Sequence, residues 1–240
     1  MKLLAFDTST ETMSVAVSRP GAGPVLSCEA AGGPQASAGL IPAIQRLLAQ
    51  AGLQLPELDA IAFGRGPGSF TGLRTACAVA QGLGFGAGVP VLALDTLLAM
   101  AEDAHARCGL LQFVTVLDAR MGEVYAAAYR REDSGWRTVS EPALLRPQDV
   151  RVPAGWAVAG NGIGLLEAAT VGEAVRVAAQ PTAAALLRLA PAALAAAPVH
   201  PAEQALPLYL RDKVAQTTEE RAVERARKDN LGGGSGAGKR

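Results

Sequence analysis

The chain has 240 residues, half of them apolar, with 22 Lys plus Arg set against 22 Asp plus Glu. That length is generous for one core and comfortable for two lobes, and the balanced charge argues against a free-standing DNA or RNA binder. Aromatic residues make up only 4% of the chain, too few for base-stacking platforms.

Leu3 to Phe6 reads as a buried strand ending in the polar turn Asp7-Thr8-Ser9-Thr10-Glu11. Met13 to Ser18 alternates as a second strand, and Val25 to Ala30 forms a third. Leu40, Ile44, Leu47, Leu48 and Ala51 recur at helical spacing, with Pro42 in the first turn and Gly52 as the stop. Leu58 to Phe63 is the next strand. It runs into Gly64-Arg65-Gly66-Pro67-Gly68-Ser69-Phe70-Thr71-Gly72-Leu73-Arg74. The glycines and proline impose a tight backbone path, and Ser69 or Thr71 can cap the helix that leaves it. Strand, glycine loop and helix in this order can cradle a phosphate, or can be a rigid corner that sets a helix for packing. Val89 to Leu94 is a fifth strand and Thr96 to Arg107 a helix, so a mixed sheet with helical cover is expected.

The pattern restarts near Phe113. Phe113 to Leu117 and Val124 to Tyr129 read as strands around the turn Asp118-Ala119-Arg120-Met121-Gly122-Glu123, with Trp136 to Ser140 a third. Trp156 to Ala159 precedes Gly160-Asn161-Gly162-Ile163-Gly164 and an expected helix, and Pro181 to Ala197 is an Ala/Leu helix. Both halves begin with a strand ending in Asp, at Asp7 and Asp118, followed by a hairpin. The expected organisation is an N-terminal lobe over 1–105, a C-terminal lobe over 106–202, a charged C-terminal helix over 203–229 and a disordered glycine-rich tail over 230–240.

Several chemistries find little support. Cys28, Cys77 and Cys108 are far apart, which fits reduced thiols in a cytoplasmic protein better than disulfides or zinc. The start reaches Asp7 too soon for a signal peptide, and Leu73 to Leu98 is too interrupted for a membrane span. His105 and His200 are far apart and lack the spacing a hydrolase metal needs, so no metal site is expected. Ser69 has no evident histidine partner. Asp118 with Glu123 reads as a hairpin turn before it reads as an acid pair. Gly233 to Lys239 spells a phosphate-loop frame, but Arg240 stands where Ser or Thr should be and no strand precedes it. The turn after Asp7 has neither glycine nor a basic residue, Glu11 would repel a triphosphate, and Asn161 is left as a candidate adenosine-side contact.

The helix after the glycine loop carries Gly72, Ala76, Ala80, Gly84 and Gly88 every four residues, with Gly82 and Gly86 alongside. Such a stripe lets a helix or a sheet approach closely. It can face the chain's own sheet or another subunit, and the scarcity of charge around the helix favours the second.

Ala5-Phe6-Asp7-Thr8-Ser9-Thr10-Glu11, the Gly64 to Arg74 loop, Leu117-Asp118-Ala119-Arg120-Met121-Gly122-Glu123-Val124-Tyr125 and Leu206-Pro207-Leu208-Tyr209-Leu210-Arg211 together resemble the TsaB (formerly YeaZ) proteins. The resemblance implies an α/β, two-lobed actin-like ATPase (ASKHA/RNase H-like) fold with a degenerate nucleotide site. It also implies a non-catalytic scaffold subunit, without catalytic residues, cofactor or metal. Such a subunit pairs with the catalytic paralogue TsaD and the ATPase TsaE to threonylcarbamoylate adenosine 37 of tRNAs reading codons that begin with adenine. Contact with tRNA is then indirect, and the isolated chain is expected to form a homodimer in the cytoplasm, away from membranes. Gln35-Ala36-Ser37 stands where relatives often carry a His-Ser pair. The expected partner-binding face comprises Leu40 and Ile44 on the first helix and Gly72, Ala76, Val79, Ala80 and Leu83 on the second. The rival readings are a stand-alone ATP-dependent phosphotransferase of the sugar-kinase class and, behind it, a peptidase.

Overall fold

The computed structural model of the chain describes residues 1–21, 24–196 and 201–211. The first sheet is built from β1 (Leu3–Asp7), β2 (Thr12–Ser18), β3 (Leu26–Ala31), β4 (Ala60–Gly66) and β5 (Val91–Asp95), in the order β3-β2-β1-β4-β5. β1, β2 and β3 pair antiparallel as a meander, and β1, β4 and β5 pair parallel. The parallel pairs need crossovers, which α1 (Ala36–Ala51) and α2 (Phe70–Ala87) supply.

The second sheet repeats this plan. β6 (Gln112–Arg120), β7 (Glu123–Glu132) and β8 (Gly135–Leu145) form the meander, while β9 (Ala157–Ala159) and β10 (Arg176–Val177) add in parallel to give the order β10-β9-β6-β7-β8. The repetition suggested by Asp7 and Asp118 is therefore one of strand order: each ends the first strand of its hairpin, or lies near that end. Two mixed sheets with helical cover bear out the expected α/β, actin-like architecture.

Period-two alternation in β1 sorts the core. Leu4 and Phe6 join Val15, Ile61 and Phe63 beneath Leu40, Ile44, Leu47, Ala76 and Ala80 of α1 and α2. Leu3 and Ala5 point the other way with Ala16, Ala60 and Ala62, and these small side chains admit α5 (Ala183–Ala196) through Leu186, Leu187 and Ala190. α3 (Thr96–Cys108) covers the second sheet, where Leu97, Met100 and Ala104 meet Phe113, Tyr125 and Tyr129. Trp156, Leu166 and Val171 close the opposite face.

Three expectations change. The helix after Gly164 shrinks to a 3-10 turn and the four-residue α4 (Ala168–Val171), which ends at Gly172. α5, expected with the second lobe, packs on the first sheet. Residues 203–210 are no helix beyond the 3-10 turn Ala202–Gln204; they form a strap along α2, anchored by the buried Ala202 and Ala205. Beyond Arg211, the expected charged helix and glycine-rich tail lie outside the described residues, as does His200.

Candidate functional site: a glycine corner and two outer helices

β4 continues into the glycine stretch as far as Gly66, and the Gly66–Pro67 peptide is cis. Each of four glycines then meets a different neighbour. A Cβ on Gly64 would overlap the Asp7 carboxylate, and one on Gly68 would lie 2.6 Å from the Ser9 carbonyl oxygen. On Gly72 it would overlap the Thr8 carbonyl oxygen. Gly66, at φ +117°, would come within 2.8 Å of the Leu208 carbonyl oxygen of the strap.

Hydrogen bonds follow the same approaches. The Ser69 amide donates to the Ser9 carbonyl at 2.8 Å, the Thr8 hydroxyl to the Gly72 carbonyl at 2.7 Å, and the Leu208 amide to the Arg65 carbonyl at 2.7 Å. Ser69 holds the N-cap position of α2, but its side chain makes no capping bond, and the helix begins at Phe70. The helix entrance is thus seated on the β1–β2 turn. The stretch that could have been a phosphate cradle is a packed corner.

Asp7 lies at the centre of this corner. Its carboxylate is buried and accepts hydrogen bonds from the Ser9 amide at 2.8 Å, the Ser9 hydroxyl at 2.6 Å and the Thr96 hydroxyl at 3.4 Å. Burial pushes its pKa up to about 6, and the bonds from Ser9 and Thr96 oppose that rise. In the second sheet, Asn161 accepts the Asp118 amide through its side-chain oxygen at 3.0 Å, and the Gly162 amide donates to the Val116 carbonyl at 3.0 Å. The candidate adenosine-side loop is therefore also engaged in packing against β6.

Among the described residues, no three His, Cys, Asp or Glu side chains are grouped to hold a metal ion. His105 bonds the Leu110 carbonyl through Nδ1 at 2.8 Å and stands edge-on to Trp136. Asp118 accepts the Arg120 amide and guanidinium within the hairpin.

The partner-binding residues read from the sequence fall largely inside. Leu40, Ile44, Ala76 and Ala80 are at most 1% exposed, and Gly72 is buried with them; all face the chain's own first sheet. Val79 and Leu83 are half-buried against the same core. The cause is helical geometry. Gly72, Ala76, Ala80 and Gly84 form one stripe, and close packing of α2 on its own sheet needs it: a Cβ on Gly84 would sit 2.7 Å from Val91 Cγ1. The exposed side of α2 carries Ala78, Gly82, Phe85 and Gly86, and that of α1 carries Ile41, Pro42 and Gln45. Among the described residues, nothing lies within 4 Å of a Cβ added at Gly82 or Gly86. Sequence reasoning missed Phe85, 82% exposed at the end of α2, and the strap. There Ala205 O accepts from Cys77 Sγ and Gln81 Nε2, and the Tyr209 ring lies 5.1 Å from that of Phe70. Its only signal was the Leu206 to Arg211 motif shared with the TsaB proteins, which assigned the segment no place in the fold.

The comparisons agree with this architecture. The family model described as TsaD, tRNA N6-adenosine threonylcarbamoyltransferase, matches residues 34–219. The Escherichia coli K12 tRNA threonylcarbamoyladenosine biosynthesis protein TsaB is 37% identical over 169 residues, 68% of this chain and 72% of that protein. Its Haemophilus influenzae counterpart is 39% identical over 175 residues, 65% of this chain and 73% of that protein. The solved structure of YeaZ from Pseudomonas aeruginosa superposes with a TM-score of 0.78 at 39% identity, covering 87% of this chain and 99% of that one. Matched in sequence to the TsaB proteins and in structure to YeaZ, and lying within the reach of the TsaD family model, the chain belongs to the TsaB family.

Proposed function

We propose that this protein is a non-catalytic subunit of the machinery that forms N6-threonylcarbamoyladenosine in tRNA, acting in the cytoplasm as a scaffold for the paralogue TsaD and the ATPase TsaE. Its relatives carry the name of tRNA threonylcarbamoyladenosine biosynthesis proteins. The two sheets form the cores of its two lobes, and tRNA is reached through the complex. Among the described residues no helix is long and apolar enough to cross a membrane.

The observation that carries the pairing role is the contrast among the glycines of α2. Gly72 and Gly84 have intramolecular reasons to lack a side chain; among the described residues, Gly82 and Gly86 have none. A glycine inside a helix costs about 1 kcal/mol relative to alanine. A partner helix lying close over the exposed side would offset that cost. The docking face is therefore the outer side of α1 and α2, around Ile41, Ala78, Gly82 and Phe85, in place of the buried stripe. The same face closes a homodimer when the chain is alone.

Gel filtration of the chain mixed with TsaD, followed by a tRNA modification assay with and without it, tests this reading. Ala78→Arg or Gly82→Arg should abolish co-elution while leaving the melting temperature within a few degrees of wild type. Co-elution that survives both substitutions would sink the assignment. The phosphotransferase alternative requires micromolar ATP binding by the isolated chain, lost in Asp7→Asn, which calorimetry would detect.

A further inference from the structure

The carbonyl ends of α1, α2 and α3 are not treated alike. A helix presents a partial negative charge at that end, which a basic group offsets. At the end of α1, Arg19 Nη1 donates to the Ala51 carbonyl at 2.8 Å, and α3 carries His105 and Arg107 in its last turn. α2 has no basic residue in its last turn. It closes at Gly88, φ +66°, and the amides of Gly88 and Val89 bond back to the Phe85 and Gly84 carbonyls. The charged side chain near that end is instead an acid, Glu203, where the strap begins. Glu203 is exposed and has no ion-pair partner among the described residues.

This end of α2 is also hollow. A groove of about 400 Å³ has Phe85, Gly88, Pro90, Pro201 and Glu203 in its lining. Glu203 is the one charged side chain among the described lining residues, and the rest of the wall is apolar or glycine. An apolar groove with one carboxylate, an exposed aromatic ring and the negative end of a helix favours a long aliphatic stem that ends in a positive charge. Lysine and arginine have that form. Their methylenes cover apolar wall, and their charge is drawn to the carboxylate, the ring face and the helix end together. A neutral side chain would leave Glu203 unpaired, and an acidic one would be repelled.

We propose that this groove is a socket for one lysine or arginine side chain of the subunit that docks on the outer side of α2. The inference rests on the docking face assigned above, with TsaD as that subunit. Ala78, Gly82 and Phe85 follow one another at spacings of four and three along the exposed side of α2, so the face runs directly into the groove. The socket supplies what the middle of the face lacks. Ile41, Ala78 and Gly82 carry no charge, and apolar contact between helices tolerates a shift along the axis. One ion pair at the end of the face fixes the register and excludes a partner with an acid there.

Calorimetric titration of the full chain with TsaD tests this. Glu203→Gln and Phe85→Leu should each weaken pairing about two- to fivefold, and Glu203→Lys about tenfold or more. Both positions are exposed, so circular dichroism should show the wild-type fold in all three variants. Raising salt to about 1 M should weaken the wild-type pair more than the Glu203→Gln pair. Replacing the lysines and arginines of TsaD by alanine one at a time should find one whose effect vanishes in the Glu203→Gln background. If Ala78→Arg abolishes pairing while Glu203→Gln and Glu203→Lys leave the affinity unchanged, the socket is wrong and the docking face stands. Pairing that survives Ala78→Arg would remove the face on which the socket rests. Self-association of the isolated chain weakened by Glu203→Lys, with TsaD affinity unchanged, would make a second copy the occupant and overturn the proposal.

Discussion

Thr8 donates its hydroxyl to the carbonyl of Gly72 at 2.7 Å, and its own carbonyl oxygen fills the space a Gly72 side chain would need. The β1–β2 turn and the entrance to α2 are therefore one packed unit. Gly72→Ala should destabilise the chain by roughly 1–3 kcal/mol, the range for overpacking a tight contact with backbone. Urea unfolding of the purified variant measures it directly, and a loss below about 0.5 kcal/mol would mean the contact relaxes freely.

Gly82 should behave in the opposite sense. An added methyl meets nothing within 4 Å among the described residues, so Gly82→Ala should stabilise the isolated chain by about 0.5–1 kcal/mol through helix propensity. The same methyl should weaken pairing with TsaD if a partner helix lies close. Denaturant midpoints and a binding isotherm on one preparation separate the two effects.

Ala76 and Ala80 are poor sites for testing the interface. Both are fully buried beneath the first sheet, so Ala76→Glu should cost about 3–5 kcal/mol by burying an unpaired charge. Loss of pairing in that variant would report unfolding, which circular dichroism would reveal.

Asp7 gives a pH signature. Its folded-state pKa of about 6 stands above its ordinary value of 3.8. The protonated carboxyl is thus the form the fold prefers, and its contribution is complete below pH 3.8 and lost as pH rises through about 6. The difference of about 2 pKa units corresponds to at most about 3 kcal/mol at neutral pH. Asn at this position can still accept from Ser9 and can donate to Thr96. Asp7→Asn should therefore be more stable than wild type by about 1–3 kcal/mol at pH 7.5, with the gap closing toward pH 4. Unfolding curves across that range would show parallel lines if the carboxylate were not the cause.

Glu102 should matter more than any exposed pair. Glu102→Ala removes the acceptor of Trp136 Nε1 and the counter-charge of Arg131 and Arg188, an expected loss of about 2–4 kcal/mol. Lys2→Ala, which breaks the exposed pair with Glu57, should leave the stability nearly unchanged. Thermal unfolding of the two variants side by side checks the ranking.

Periodicity located most of the regular elements. Leu3 to Phe6, Met13 to Ser18 and Thr96 to Arg107 come within a residue or so of β1, β2 and α3. The two-residue β10 escaped, being too short for any period to register, and the helix expected after Gly164 proved to be only a 3-10 turn and the four-residue α4. At the candidate site the composition of α2 was legible, but its orientation was not. Small residues at every fourth position suit the chain's own sheet and a foreign helix equally well. Only the contacts distinguish Gly72, pressed against Thr8, from Gly82, which no described residue approaches.

The sequence by itself determined the α/β class, the duplicated hairpin starting points at Asp7 and Asp118, and membership of the TsaB family, because local periodicity and motif residues are written along the chain. Tertiary structure alone decided that the glycine loop is a packed corner and that α2's small-residue stripe faces inward. It also decided that the strap closes over Gly66. Those outcomes depend on which surfaces meet across long separations, such as Thr8 with Gly72 and Arg65 with Leu208. A residue's identity limits what can approach it, and the fold decides what does.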